Sequence, residues 1–227
     1  MPRHTAQMSE SMSLAILLTL AGGFQDAYSY NCRGQVFANA QTGNIVLLGQ
    51  NLATGNFSHA LRYLFPLLAF FAGVYLTEWL RQKYRNIRRI HWRQILLLVE
   101  VILLLFAGGL PQSLNIFANV LLSFACAMQV AGFRKFRGIP CATTMCIGNM
   151  RSAAECLCQY HVTKNREAGR QSLHYILILL IFAVGAAMGA VLSHFLGNLS
   201  IWIAALFQLA GFVLMFIRED IKDSGRK

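Results

Sequence analysis

The sequence predicts an all-α membrane protein whose six transmembrane helices form two inverted three-helix repeats, the first helix of each repeat broken. Three observations lead there. The 227 residues are 56% hydrophobic and only 13% charged, with a mean hydropathy of +0.49, which is too apolar for an ordinary soluble domain. The basic residues gather beside particular ends of the apolar runs. Residues near position 25 recur about 104 positions later.

A helix needs roughly 20 apolar residues to cross a hydrocarbon core. Windows of that kind fall at about 12–30, 60–80, 94–110, 115–133, 173–195 and 199–217. They are continuous rather than alternating, which argues against a barrel. With the N-terminus inside, the basic loop 81–93, the segment 134–171 and the tail 218–227 become cytoplasmic. Of the 20 lysines and arginines only Arg33 and Arg62 then lie outside. That asymmetry is the positive-inside signature and places both termini in the cytoplasm. The net charge of +11 is therefore read as a topology anchor facing anionic headgroups rather than as a nucleic-acid surface. No small-residue cleavage site follows the first apolar run, so a removable signal peptide is not expected. The six cysteines mostly lie in or near apolar segments on the cytoplasmic half, where thiols stay reduced, and Cys156-x-Cys158 reads as small buried residues rather than as a metal site.

The repeat is the most informative pattern. Gln25 aligns with Gln129, and Arg33-Gly34 with Arg137-Gly138, at an offset of 104; Gly43-Asn44 aligns with Gly148-Asn149 at 105. Leu61 and Tyr63 meet Leu173 and Tyr175, and Gly73 meets Gly185, at 112, while the helix carrying Glu100 matches the one carrying Gln208. Repeat one then spans about 12–110 and repeat two about 115–217 of a single integral membrane domain. Three crossings per repeat invert the second copy, and inverted copies often build a solute site at the bilayer midplane.

The first apolar run leads directly into GGFQDAYSYNCRGQVFANAQTGN, residues 22–44. So polar a stretch at membrane depth is costly unless it faces protein, water or a ligand. Gly22-Gly23 and Gly34 invite one break, Thr42-Gly43-Asn44 a second, with a short helix at about 44–53. Its N-terminus would direct unpaired N–H groups and partial positive charge towards an anionic or carbonyl-bearing solute. Gly148-Asn149 repeats the device, with Arg151 adding charge. The expected solute-lining residues are Gln25, Asp26, Tyr28, Asn39, Thr42, Gly43, Asn44, Gln129, Thr144, Gly148 and Asn149. The bland alternative is that these amides and hydroxyls only join helices.

An acid inside a spanning segment is expensive and marks a functional candidate. Asp26 and Glu100 are the expected proton-coupling residues, and Arg33 is the nearest counter-ion for Asp26. Glu78, beside Arg81 and Lys83, reads as a surface ion pair. The pairs Ala69/Gly73 and Gly185/Gly189 place small residues one turn apart, packing faces for another helix or for a second copy in a homodimer. His174 and His194 are too far apart in one helix to share a metal ion.

The motifs G-F-Q-D-A-Y at 23–28, F-A-N-A-Q-T-G-N at 37–44 with L-L-G at 47–49, and A-M-Q at 127–129 with T-T at 143–144 and G-N at 148–149, resemble the bacterial YoaK-like membrane proteins. That group is a six-helix family listed as a domain of unknown function. Val130 stands where such proteins often carry Asn, and Ile147 where Thr is usual. The resemblance implies a multi-pass protein of the bacterial inner membrane with transport activity and no assigned substrate.

The leading expectation is a secondary transporter or permease for a small polar or anionic solute, coupled to protons, with the lipid bilayer and that solute as its partners. The alternatives are an intramembrane lipid-processing enzyme and a non-catalytic scaffold or sensor. Against the enzyme, the chain lacks His-Glu-x-x-His, Gly-x-Ser-x-Gly and any acid/base pair at fixed spacing. No cofactor or metal site is expected.

Overall fold

The computed structural model describes residues 11–83, 92–136 and 138–224, the side chains of 216–224 excepted. Arg85, Arg88 and Arg89 of the basic loop and the charged side chains of the tail lie outside the described residues. The chain runs α1 (Met12–Cys32), α2 (Gln41–Ala53), α3 (Phe57–Lys83), α4 (Trp92–Gly109), α5 (Asn115–Gly132), α6 (Cys146–Thr163), α7 (Arg166–Leu196) and α8 (Ile201–Ser224). A two-residue antiparallel pair, β1 (Lys135–Phe136) with β2 (Ile139–Pro140), is its one departure from helix and loop among the described residues. Among the described residues, four helical stretches are long and apolar enough to cross a membrane: Phe57–Lys83, Trp92–Gly109, Gln112–Gly132 and the 50-residue run Arg166–Met215, which turns at Gly197. The fold is all-α, with several helices long and apolar enough to be embedded in a membrane.

The first helix is not broken where the glycines suggested. Helix α1 continues through Gly22, Gly23, Gln25, Asp26 and Tyr28 to Cys32, and α5 is likewise continuous. The chain leaves α1 only at Gly34 (φ +80°) and Gln35 (φ +60°), a left-handed turn that glycine opens without steric cost. Gly138, at the matching position after α5, has the same φ of +80°. Helix α2 starts at Gln41, three residues before the expected start at Asn44. Gly22 and Gly23 instead permit close approach. A Cβ on Gly23 would sit 2.1 Å from the Phe182 carbonyl oxygen of α7, and one on Gly185 of α7 would sit 2.3 Å from the Leu20 carbonyl of α1. Gly73 gives α3 the same intimacy with α5, where a Cβ would meet the Phe124 carbonyl at 2.8 Å. Both expected small-residue faces are thus filled by helices of the same chain.

The helix partners follow one scheme. Helix α1 lies along α7 and α8; α5 lies along α3 and α4; α2 packs on α3, α6 on α7, and α4 on α8. A core of Phe24, Tyr28, Val101, Leu104, Leu122, Ile201 and small alanines fills the junction of α1, α4, α5 and α8. Outward faces carry large apolar side chains such as Phe71, Tyr75, Ile102, Leu180 and Phe195. At the ends of α3 and α5, Glu78 bonds both Arg81 and, at 2.7 Å, Arg134, so the surface pair also ties two helices together. Cys158 is exposed and Cys156 half-buried, which corrects the expectation that both are buried, because α6 has only Asn149 and Ala153 buried.

Candidate functional site

Two irregular segments, 33–40 after α1 and 141–145 before α6, are folded back against the bundle by equivalent hydrogen bonds. Asn44, buried near the start of α2, accepts from the Phe37 amide (3.0 Å) through Oδ1 and donates to the Phe37 carbonyl (2.7 Å) through Nδ2. Asn149 in α6 repeats both bonds with Ala142, accepting at 3.4 Å and donating at 2.6 Å. Each asparagine serves the amide and carbonyl of a residue seven positions earlier, completing a loop whose backbone has no ladder partner. Asn44→Ala is expected to leave two buried backbone groups unpaired and to lower stability by about 1–3 kcal/mol. Thermal unfolding in detergent measures it; an unchanged midpoint would remove the clasp from the account.

The first segment docks along α1. The Asp26 carboxylate accepts from the Asn39 amide at 2.7 Å, Ser29 Oγ accepts from the Ala38 amide at 3.0 Å, and Asn39 Nδ2 donates to the Gly22 carbonyl at 2.8 Å. The second segment reaches the same place, since a Cβ on Gly22 would lie 2.9 Å from Thr144 Cγ2 and 3.1 Å from the Thr143 carbonyl. Gly22 is therefore where the two segments meet. Asp26 in effect takes the capping role at the entry to α2, whose own N-cap residue, Ala40, makes no side-chain bond.

Beside this junction lies a cavity of about 920 Å³. Its wall combines Asp26, Tyr30 and Asn31 of α1 with Phe37, Asn39 to Thr42, Phe70 of α3, Thr144 to Gly148, and Phe182, Ala186, Ala187 and Ala190 of α7. The entries to both α2 and α6 open into it. Of the residues singled out by sequence, Asp26, Asn39, Thr42, Thr144 and Gly148 border the cavity. Gln25, Tyr28, Gly43, Asn44, Gln129 and Asn149 do not; of these, Asn44, Asn149 and Gln129 hold the segments that form its wall. The apolar lining was missed because Phe37, Phe70, Phe182 and Ile147 look like ordinary membrane residues. The small trio Ala186, Ala187 and Ala190, which shares α7 with the Gly185/Gly189 face, was the available signal.

Arg33 does not pair with Asp26. Its guanidinium is only 1% exposed and reaches the carboxyl end of α4 instead, donating to the carbonyls of Ala107 (2.7 Å) and Leu110 (3.0 Å), to Asn115 Oδ1 (3.1 Å) and to the Tyr28 hydroxyl (2.8 Å). Two helical turns separate positions 26 and 33, and the negative end of the α4 dipole is the nearer counter-charge. The Tyr28 hydroxyl in turn donates to the Asn198 carbonyl at 3.0 Å. Tyr28 is thus a strut of this knot.

Glu100 lies inside the helix junction at 0% exposure, away from the cavity wall. Gln208 Nε2 donates to Glu100 Oε2 (3.0 Å) and to Gln129 Oε1 (3.1 Å), and Gln129 Nε2 donates to Thr143 Oγ1 (2.8 Å) and to the Leu18 carbonyl (3.1 Å). This chain joins α4, α8 and α5 to the second irregular segment.

A family model described as "Protein of unknown function (DUF1275)" matches residues 14–214 of the chain. No curated protein and no solved structure matches it.

Proposed function

We propose that this chain, which belongs to the DUF1275 family of proteins of unknown function, is a permease for a small solute with an apolar body and an anionic or carbonyl-bearing head. One observation carries the reading: one large cavity is walled jointly by the end of the first irregular segment with the start of α2, Asn39 to Thr42, and by the end of the second with the start of α6, Thr144 to Gly148, with the acid Asp26 between them. Irregular backbone inside a membrane protein is tolerated where it lines a cavity, and helix ends meeting at such a place offer their terminal backbone groups to a solute.

The arrangement reads as two inverted repeats of three crossings, six in all, in the cytoplasmic membrane of a bacterium with both termini inside. Support comes from a packing scheme that maps onto itself when α1 to α4 are exchanged for α5 to α8. The paired asparagine clasps and the matching close approaches at Gly73 and Gly185 support it too. The motif resemblance to YoaK-like proteins agrees with this topology.

The two halves differ where the solute head would sit. Asp26 already answers the entry to α2, whereas α6 starts at Cys146 without a side-chain cap, and Val130 occupies the position matching Asp26. An anionic head therefore fits the α6 entry, with Thr144 beside it and the apolar body against Phe37, Phe70 and Phe182.

The test is a solute screen by thermal shift on purified protein, since a ligand binding only the folded state raises the midpoint, followed by uptake into proteoliposomes. Ala187→Trp, which fills the cavity from an exposed small position, is expected to keep the fold and to abolish both the shift and uptake. Normal uptake in a folded Ala187→Trp protein would remove the cavity from the transport path.

A further inference from the structure

The interior acid Glu100 has a different environment from Asp26. Asp26 receives a backbone amide at 2.7 Å, a bond that suits a carboxylate. Glu100 receives only Gln208 Nε2, on Oε2, while its Oε1 has no partner. None of the ion pairs among the described residues involves Glu100. A bare carboxylate so enclosed lacks both the solvation and the counter-charge that keep it ionised.

The orientation of the neighbouring amides is settled by chemistry. The Leu18 carbonyl can only accept, so the nitrogen end of Gln129 must face it and its Oε1 must face Gln208. Gln208 therefore presents nitrogen to both Gln129 and Glu100, leaving Gln208 Oε1 without a donor. Gln25, the counterpart of Gln129 in the first half, is buried with both amide atoms unpartnered. By the exchange that relates the halves, the contact Gln129 makes to Gln208 corresponds to one from Gln25 to Glu100. The cluster thus holds amide oxygens without a donor, Gln25 Oε1 and Gln208 Oε1, beside an uncompensated acid, and a proton on Glu100 would both remove its charge and add a donor.

We infer that Glu100 is the proton-binding residue of the protein, held as the neutral acid in this conformation, and that Asp26 is the ionised anchor of the first irregular segment. A sodium ion fits less well, because it needs several oxygens and Gln208 offers nitrogen on the Oε2 side. When water enters and takes the proton, the Glu100 O–H bond breaks and the carboxylate draws the Gln208 amide to itself. Gln129 Oε1 then loses its donor, and through Thr143 the change reaches Thr144 on the cavity wall. The other titratable group facing this cluster among the described side chains is Cys126 on α5, within electrostatic reach of both Glu100 and Asp26; among its described side chains α8 contributes Gln208.

This deepens the permease reading, and its place in a cycle rests on that reading, but the test needs no solute. Infrared spectra of the purified protein at neutral pH are expected to contain the C=O band of a protonated carboxylic acid. Glu100→Gln should remove it, Glu100→Asp should move it, and Asp26→Asn should leave it in place. Absence of the band in the unaltered protein, its undiminished survival in Glu100→Gln, or its appearance only after sodium is withdrawn would each overturn the assignment. Failure of every solute in the uptake screen would count against the permease and leave the band unaffected.

Discussion

Gly23→Ala is expected to prevent the bundle from closing. A methyl group ordinarily helps a helix by about 1 kcal/mol over glycine. Here the added carbon would lie 2.1 Å from the Phe182 carbonyl oxygen, 2.9 Å from the Ala186 nitrogen and 3.0 Å from the Phe182 carbonyl carbon. All three are backbone atoms of α7, so no rotamer change relieves the clash and two whole helices must separate. That separation would strip the α1/α7 interface, which includes the reciprocal approach of Gly185 to Leu20 and of Gly189 to the Phe24 carbonyl, 2.7 Å from a built Cβ. The expected cost is about 3 kcal/mol or more, beyond ordinary overpacking. It would be read as a lost or strongly lowered thermal transition and an aggregated profile on size exclusion. Gly148→Ala is the control, since a Cβ there meets nothing within 4 Å. Equal stability of the two variants would mean that α1 and α7 are not packed this closely.

Arg33→Met should be nearly as damaging, for the opposite reason: it removes a group instead of adding one. Methionine fills much of the volume but offers no donor, so the Ala107 and Leu110 carbonyls and the Asn115 oxygen at the head of α5 all lose the guanidinium, the Leu110 carbonyl keeping Asn198 Nδ2 (3.2 Å) and the Ala107 carbonyl the Leu110 amide (3.3 Å). Breaking a buried charged network from one side costs about 3–5 kcal/mol. Arg33→Lys should recover little of it. A single ammonium cannot reach the Tyr28 hydroxyl with one nitrogen and the α4 carbonyls with two others, as the planar guanidinium does. Denaturation in detergent would measure both losses, and hydrogen exchange should localise them to the end of α4 and the start of α5. Arg62, exposed on α3, supplies the comparison; an Arg33→Met protein as stable as Arg62→Met would sink the argument.

The polar stretch after the first apolar run illustrates what a sequence conveys. Asp26, Asn39, Thr42, Thr144 and Gly148 were legible as cavity residues because polar groups and glycine at membrane depth need a reason to be there. Gln129, Asn44 and Asn149 carry the same signal but act one layer back, as clasps, and composition cannot separate lining a cavity from holding its wall. The apolar lining was invisible because phenylalanine facing a solute and phenylalanine facing lipid are chosen by the same hydrophobic preference. Gly22 and Gly23 misled for a related reason. Glycine permits both a break and a close approach, and only the packing of α7 against the place a Gly23 Cβ would occupy decides between them.

From the sequence alone came the apolar composition, the helical class, the approximate limits of the apolar runs, and the internal echo at offsets of 104 to 112. These follow from local chemistry, because the bilayer demands long apolar helices wherever it is crossed. Tertiary structure alone decided that α1 is continuous, that Arg33 grips the end of α4 rather than Asp26, and that Glu100 is shut away from the cavity which Asp26 borders. Each of those outcomes depends on which distant groups stand within 3 Å or so of a side chain. That distance is set by the packing of helices far apart in the chain.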